Sequence, residues 1–132
     1  MDKPEIKLPF GNDLNQYAKF IHETAVKQGY WDEGHTFHYT MANAMAELGE
    51  ALSEYRDGNP VLYYRDANGN KTVDIQSAHD EDKPYGLGVE IVDTIIWLLD
   101  YMHFMGIDVD DIMRRKVRYN ATRGYLHGHK KA

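Results

Sequence analysis

Three glutamates stand at helical spacing in the stretch AMAELGEALSEYR, residues 44–56. Glu47, Glu50 and Glu54 are three and four residues apart, so on an α-helix they share one face. Like charges at this spacing destabilise a helix by roughly 0.2–0.5 kcal/mol per pair. Either the stripe is the solvated face of an amphipathic helix, or a bound cation relieves the repulsion.

A second acidic pair lies in the stretch GLGVEIVDTIIWLLDYMHFM, residues 86–105. Glu90 and Asp93 are three residues apart and share a sector with Trp97 and Tyr101, while aliphatic residues fill the rest of the helix. A solvated face would rarely carry aromatic residues in line with acids. We therefore expect other helices, a second subunit or a ligand to cover this helix on most sides. Carboxylates on a covered helix need a partner, and a cation is the obvious one.

The two acidic stretches together indicate a metal site with oxygen ligands. Four or five carboxylates, with no histidine or cysteine at matching helical positions, suit Mg²⁺ or Mn²⁺ and suit zinc poorly. A di-iron helical bundle would need Glu-x-x-His on two helices, and neither acidic stretch contains it. The prediction is a magnesium site in which manganese can substitute.

A basic segment near the end of the sequence complements the acids. Residues 114–131 hold seven lysines or arginines and no acid, in a chain whose net charge is −6. Lys116, Asn120 and Arg123 are four and three residues apart, so they share a helix face that can bind phosphate oxygens. Alternatively, the basic side chains only offset the dipole of a terminal helix. The negative net charge argues against binding a nucleic-acid polymer.

The composition predicts one soluble domain over residues 1–132. A chain of 132 residues is long enough for one core and short for two. It has no cysteine, its first residues lack the apolar segment of a signal peptide, and acids interrupt its longest apolar run. We therefore expect a cytoplasmic protein without a membrane partner.

Apolar periodicity and cap residues predict four helices. These helices are expected at about 12–28, 36–56, 86–105 and 109–122. Asn12 or Asp13 is the expected N-cap of the first helix, and Asp108 that of the fourth. In the second helix an apolar stripe lies opposite the glutamates, which by itself favours a solvated role for them. The stripe, expected to face the core, consists of Met41, Met45, Leu48, Leu52 and Tyr55.

A segment with β-strand and turn signals separates the second and third predicted helices. Two β-favouring runs flank Ala-Asn-Gly-Asn at 67–70, which predicts a hairpin. The hairpin belongs to an insertion that covers residues 57–85, and residues 124–132 are expected to form a basic tail. The predicted fold class is all-α, a four-helix bundle with a small β-hairpin between the second and third helices.

Taken together, these residues resemble the short MazG-like all-α nucleoside-triphosphate pyrophosphohydrolases of phages and bacteria. Glu47 and Glu50 match the ExxE of the family's first motif helix, and Glu90 and Asp93 match the ExxD of its second. The segment KVRYNATRGYLHGHKK is similar to the family's C-terminal segment, in which Lys, Asn and Arg recur at this spacing. The likeness covers roughly residues 12–131 and is weakest across the insertion.

The chain departs from the family pattern in several places. The two acidic motifs are separated by 39 residues, more than is usual in the family. Tyr85 stands where relatives often have an acid, Trp97 where they often have arginine, and His129 where they often have glycine. These departures concern the choice of substrate more than the reaction.

The resemblance implies Mg²⁺-dependent hydrolysis of (d)NTP to (d)NMP and pyrophosphate, in a dimer or a dimer of dimers. The four motif carboxylates would hold the metal, with Glu47 and Glu50 also acting in catalysis and Glu54 as a further ligand or a base. The residues expected to bind phosphate, across a subunit boundary or within one chain, are Lys116, Asn120 and Arg123. The candidates for contacts with base and sugar are Trp31, Asn43, Trp97 and His22.

Two alternatives stay open. The substrate is either a range of nucleotides or a single one, such as dUTP or dCTP, or dGTP or GTP in a phage pathway. Phosphoribosyl-ATP fits least, because enzymes for it are usually shorter and lack this hairpin. The chain could instead be a non-catalytic helical module that dimerises or senses nucleotides, and such a module predicts no stabilisation by Mg²⁺.

Overall fold

The computed structural model of the chain describes residues 13–33, 35–74 and 78–124, which form four helices and a two-stranded antiparallel sheet. In chain order the elements are α1 (Asp13–Lys27), α2 (Phe37–Arg56), β1 (Tyr64–Arg65), β2 (Lys71–Thr72), α3 (Leu87–Phe104) and α4 (Val109–Thr122). The predicted helices and hairpin are confirmed. The expectations for Asn12, for residues 75–77 of the insertion and for residues 125–132 fall outside the described residues. Within the described ranges, none of the helices combines the length and apolar character needed to cross a membrane.

Side-chain caps fix where two of the helices begin. The Thr36 hydroxyl accepts the backbone N–H of Tyr39 at 3.0 Å before α2, and the Asp108 carboxylate accepts that of Asp111 at 3.1 Å before α4. Each bond satisfies a backbone donor that has no partner within the first helical turn. The prediction that Asp108 caps the last helix is thus confirmed, whereas Asp13 is the first residue of α1.

Helices α2 and α3 pack as an antiparallel pair through small residues. Thr40 and Ala44 are buried on α2, and the Thr94 hydroxyl of α3 lies 3.5 Å from the Ala44 carbonyl oxygen. Phe37 at the start of α2 contacts Tyr101 near the end of α3, with ring centroids 6.0 Å apart, which fixes the antiparallel direction. Short side chains at the contact let the two helices approach closely.

Helix α1 packs against α3 and also holds α4. The buried members of their shared core are Ala18, Leu99 and Val109, with Leu14, Ile21, Met102 and Ile107 packed against it. The buried Asp110 carboxylate accepts the backbone N–H groups of Leu14 and Asn15 at 3.3 and 2.9 Å. The Asn15 amide oxygen in return accepts the N–H of Val109 at 2.8 Å. The starts of α1 and α4 therefore cap each other.

The apolar stripe of α2 does not face the core of the chain, which corrects the expectation from the sequence. Met45 is 64% exposed and Leu48 50% exposed, and Leu52 and Tyr55 are exposed as well. Helix α2 instead buries Thr40, Ala44 and Ala51, and such small residues allow a closer helix contact than the longer side chains would. Within one chain, helix α3 leaves Ile91, Val92, Ile95 and Ile96 exposed, so its expected coverage by a second subunit or a ligand stays a prediction.

The insertion is attached to the start of α3 by backbone hydrogen bonds. Tyr63 and Tyr85 exchange N–H···O bonds of 2.9 and 2.8 Å, and the Gly88 N–H donates to the Val61 carbonyl oxygen at 3.0 Å. At Gly86, φ is +123° and an added Cβ would lie 2.2 Å from the Val61 oxygen, so only glycine fits. This close approach holds the hairpin beside the helix that carries the second acidic pair.

Candidate metal centre

Three glutamates of the two acidic stretches converge between α2 and α3. Glu47 and Glu50 project from α2 and Glu90 from α3, and one carboxylate oxygen from each lies within 4.8 Å of the others. The antiparallel packing produces this meeting, because it brings the middle of α2 beside the first turn of α3. The structure thus brings together three of the four motif carboxylates, which we call the carboxylate cluster.

Two oxygens of the carboxylate cluster are buried without a partner. Glu47 Oε2 and Glu90 Oε2 each expose less than 1 Å² and form no hydrogen bond with the described residues. Burial, followed by the effect of the neighbouring carboxyl groups of Glu47 and Glu50, raises the pKa of Glu90 to about 8. A carboxyl group in this position holds either a proton or a cation, because a buried unpaired charge is costly.

Asp93 lies beside the carboxylate cluster and is not one of the three residues that meet within 4.8 Å. It is one helical turn beyond Glu90 on α3. Burial first, and then the charges of Glu47 and Glu50, raise the pKa of Asp93, while the Lys83 ammonium opposes the rise. Asp93 is therefore close enough to interact electrostatically with the carboxylate cluster.

The donor set of the cluster fits a hard divalent cation. Its atoms are carboxylate oxygens, and among the described residues no histidine or cysteine belongs to the group. Mg²⁺ and Mn²⁺ prefer such oxygen ligands, whereas zinc sites commonly contain imidazole or thiolate. Two unpartnered buried oxygens are the positions that a cation would satisfy.

Glu54, the third glutamate of the α2 stripe, has different surroundings. Its carboxylate accepts hydrogen bonds from Asn59 Nδ2 at 2.7 Å and from the Tyr63 hydroxyl at 3.1 Å. Tyr63 is only 1% exposed, and burial followed by the Glu54 carboxylate raises the pKa of its hydroxyl. Glu54 therefore ties α2 to the insertion, and its role as a ligand or base stays a prediction.

The three residues predicted to bind phosphate lie on a different part of the chain. Lys116 and Asn120 are on α4, and Arg123 is the residue that follows this helix. The cationic ends of Lys116 and Arg123 lie 5.1 and 5.5 Å from the ring centre of Tyr119. Because α4 packs against α1 while the cluster lies between α2 and α3, no described contact joins the two sets.

Two of the residues predicted to contact base or sugar share a buried carboxylate. His22 Nδ1 lies 2.8 Å from Asp100 Oδ1, and the Trp31 indole N–H points at both carboxylate oxygens of Asp100, 3.2 Å from each. The Trp31 ring stacks on His35, with centroids 4.1 Å apart, and on Phe104, with centroids 4.6 Å apart. Asp100 thus fixes the orientation of His22 and Trp31.

A cavity of about 330 Å³ opens beside this group, between α1 and α3. Its walls are mostly apolar and include Trp97, His35 and Asp100. Both ring nitrogens of His35 are buried and form no hydrogen bond with the described residues. Tyr39 borders the same region, since its ring lies 5.9 Å from that of Trp97 and its carbonyl oxygen accepts the Asn43 amide N–H at 2.8 Å.

Comparison of the chain with family models, curated proteins and solved structures finds no match. The site is therefore interpreted from its own geometry and from the motifs in the sequence.

Several residues that shape the site were missed by sequence reasoning. Asp100 carried a signal, because it is an acid at the end of the apolar run IIWLLD and falls on the same helix face as Asp93. His35 lies in a short connection with no periodic pattern, so the sequence gives no sign of its burial. Tyr63 and its neighbours in the insertion were assigned to a hairpin, but their contact with Glu54 could not be inferred.

Proposed function

We propose that the chain is a Mg²⁺-dependent nucleotide pyrophosphohydrolase of the MazG-like kind, which cleaves (d)NTP between the α- and β-phosphates. One observation carries the proposal: Glu47, Glu50 and Glu90 meet between two helices, and two of their oxygens are buried without a partner. A merely solvated acidic face does not bury unpaired carboxylate oxygens. Such an enzyme controls the nucleotide pool of the cytoplasm, and its substrate is a free nucleotide, not a nucleic-acid polymer.

The carboxylate cluster would hold Mg²⁺, or Mn²⁺ in its place, with Asp93 completing the ligand set. When bound, the ion lowers the pKa of a water molecule and offsets charge on the phosphates. Because the pKa of Glu90 is about 8 without metal, cation binding near neutral pH would displace a proton from the cluster. The affinity for Mg²⁺ should therefore increase as the pH rises toward about 8.

The cavity supports a nucleotide as the ligand. It lies between α1 and α3, and Trp97 in its wall is one turn beyond Asp93 on α3. A largely apolar cavity with a few polar groups is typical of small-molecule sites. A nucleobase in the cavity would stack on aromatic rings such as Trp97, with its phosphates directed toward the carboxylate cluster. The identity of the base stays open between broad and single-nucleotide specificity.

In the proposed reaction, the oxygen of a water molecule forms a bond to the α-phosphorus. The bond from that phosphorus to the α–β bridging oxygen breaks, and the bridging oxygen leaves with pyrophosphate. The attacking water loses a proton, which a carboxylate of the enzyme accepts and passes to solvent. Glu50, the exposed member of the cluster, and Glu54, one turn beyond it, are the candidates for this proton.

We further propose that the chain forms a homodimer or a dimer of dimers. The exposed apolar residues of α2 and α3 support this, because a large apolar surface marks an interaction surface. A second copy would cover these faces with its own. In such an assembly Lys116, Asn120 and Arg123 of one chain would reach the phosphates bound by its neighbour.

The test is release of pyrophosphate from each common NTP and dNTP, measured with Mg²⁺ and with EDTA. We expect metal-dependent release by the wild type and a loss of at least about 100-fold in Glu50→Gln, which keeps the shape of the side chain. Glu23→Gln is the matched control, because Glu23 is exposed on α1 and lies 4.0 Å from Lys19. It should keep full activity.

If a folded sample released no pyrophosphate from any of these substrates, with either Mg²⁺ or Mn²⁺, the enzymatic proposal would be contradicted. If Mg²⁺ also failed to raise the unfolding temperature, the non-catalytic module would be the better explanation. Equal loss of activity in Glu50→Gln and Glu23→Gln would argue against a role for the cluster.

A further inference from the structure

Three cationic side chains of the insertion gather on a pair of stacked tyrosines. The rings of Tyr63 and Tyr85 stack with centroids 5.5 Å apart. The Arg65 guanidinium carbon lies 5.8 and 5.2 Å from these two ring centres. Lys71 Nζ lies 5.6 Å from the first ring and Lys83 Nζ 5.0 Å from the second. We call Arg65, Lys71 and Lys83 the cation cluster.

The two stacked tyrosines below the cation cluster are attached to α2 and to the start of α3, the helices that carry the acidic motifs. Tyr63 is buried and donates its hydroxyl to Glu54 on α2, while its backbone is bonded to that of Tyr85 just before α3. Lys71 donates to Asn59 Oδ1, and the amide nitrogen of Asn59 donates to Glu54 at 2.7 Å. The cations are therefore held at a defined place relative to the carboxylates.

Over the described ranges, no member of the cation cluster forms a salt bridge, although the Lys83 ammonium acts electrostatically on Asp93; the ion pairs found there involve other residues. Arg65 donates to the Gly69 carbonyl oxygen at 2.9 Å, and all three side chains are exposed. Three positive charges within reach of one tyrosine pair repel each other, so an anion bound among them would be stabilised.

The cation cluster lies at the end of the site opposite to the cavity. Glu54, which accepts the hydroxyl of Tyr63, is one turn beyond Glu50 on α2, about 6 Å along the helix axis. Lys83 lies just before α3 and is close enough to Asp93 to act on it electrostatically. From the end of α3 toward its start, the order is thus cavity, carboxylate cluster and cation cluster. A nucleoside triphosphate has the same order of aromatic base, α-phosphate and terminal phosphates.

We propose that Arg65, Lys71 and Lys83 bind the terminal phosphates of the substrate, the two that leave as pyrophosphate. The inference rests on the proposed function and assigns the insertion a role in it. Arginine can bind two phosphate oxygens with its planar fork, and the lysines add point charges. Donors at the leaving group also stabilise the charge that develops on the bridging oxygen when it breaks from the α-phosphorus.

The experiment compares a ligand that contains the terminal phosphates with ligands that lack them. Binding of inorganic triphosphate and of each dNMP is measured by titration calorimetry with Mg²⁺, on the wild type and on Arg65→Gln, Lys71→Gln and Lys83→Gln. Glutamine keeps much of the aliphatic stem that covers the tyrosines. Lys19→Gln is the matched control, since Lys19 is an exposed lysine on α1.

Each substitution in the cation cluster should weaken triphosphate binding about threefold, and the triple variant about 30-fold, with dNMP binding changed less than about twofold. Lys19→Gln should leave both affinities unchanged. For the nucleotide that is hydrolysed, the variants should raise KM by similar factors. Thermal unfolding of each variant confirms that the fold is retained, and the single variants decide if the triple one does not fold.

Unchanged triphosphate affinity in all three folded single variants would overturn the proposal and leave the cations as a solvated surface. So would an equal loss of triphosphate and dNMP affinity, because the dNMP has no terminal phosphates. Failure of the enzymatic proposal is recognised separately, since no nucleotide would then be hydrolysed. The binding of inorganic triphosphate, and its dependence on the three cations, would still be measured.

Discussion

Replacing Glu90 with glutamine tests whether its carboxylate is as crowded as the structure describes. Without metal, burial and the neighbouring Glu47 and Glu50 raise the pKa of Glu90 from 4.5 to about 8. A group with a raised folded-state pKa stabilises the fold below its unfolded pKa, and this contribution is lost as the pH rises through the folded value. Glutamine keeps the shape but carries no charge. Glu90→Gln should therefore become more stable relative to wild type as the pH rises.

The size of the effect follows from one proton that the folded state holds and the unfolded state does not. Such a proton changes the free energy of unfolding by about 1.4 kcal/mol per pH unit while it stays bound, and by about 2 kcal/mol between pH 6 and pH 8, because it is half released at pH 8. Water beside the exposed Glu50 screens the charges, which we represent by halving the value to about 1 kcal/mol. At about 4 °C per kcal/mol for a chain of this length, the difference in Tm should grow by roughly 4 °C.

The assay is thermal unfolding in EDTA at several values between about pH 6 and pH 8, for wild type, Glu90→Gln and Glu23→Gln. Contributions from the ionisable residues that the three proteins share cancel in the differences. Glu23→Gln should follow the wild type at every pH, and Mg²⁺ should raise the Tm of wild type more than that of Glu90→Gln. A difference between Glu90→Gln and wild type that stays constant with pH would refute the reasoning.

Four further substitutions test the fold around the site and the proposed interface. Tyr63→Phe removes a buried hydroxyl that donates to a carboxylate of α2 and should lower the free energy of unfolding by about 1–2 kcal/mol; an unchanged urea midpoint would contradict this. Gly86→Ala would place a Cβ 2.2 Å from the Val61 carbonyl oxygen and should cost about 2 kcal/mol or more by the same measurement. Gly49→Ala, with open space around it, should instead be neutral or stabilising. Leu48→Asp, on the exposed apolar face, should convert the proposed oligomer to monomers in analytical ultracentrifugation, and an unchanged sedimentation coefficient would exclude this face from the interface.

The helices and the hairpin could be predicted from the sequence because their signals are local. Thr36 and Asp108 cap the helices that follow them with bonds to backbone groups three residues away. The hairpin turn is likewise closed by neighbours, since the Asp66 carboxylate accepts the N–H of Asn68 and of Asn70, both at 2.9 Å. A cap or a turn is complete within one short segment, so that segment's residues are sufficient to indicate it.

The buried face of α2 could not be predicted in the same way. The amphipathic pattern assumes that the largest apolar side chains meet the first neighbouring helix. Here α3 packs on Thr40 and Ala44, and the longer Met45 and Leu48 are left exposed. Periodicity divides the surface of a helix into faces, but it does not say which face meets another helix of the same chain and which meets a second chain.

Contacts between segments that are distant along the chain could also not be predicted from the sequence. Asp100 accepts hydrogen bonds from His22 and Trp31, which are 78 and 69 residues away along the chain. The sequence around each of these residues gives no indication of the contact, because only the packing of α1 against α3 brings them together. The cavity beside Asp100 depends on the same packing, so neither its size nor its lining could be derived from the motifs.

The glutamate stripe of α2 combines what the sequence could and could not indicate. Its spacing places Glu47, Glu50 and Glu54 on one face, yet the three carboxylates have different surroundings. Glu47 carries a buried oxygen without a partner, Glu50 is exposed, and Glu54 is bound by two donors from the insertion. Repulsion along the stripe is therefore relieved at one end by hydrogen bonds, and only the two remaining glutamates meet a third carboxylate from α3. Because the Glu54 carboxylate already accepts two hydrogen bonds, a bound cation would be stabilised most by the unpartnered oxygens of Glu47 and Glu90. The proposed anion site of the insertion, Arg65, Lys71 and Lys83, then lies beside Glu54 without being neutralised by it.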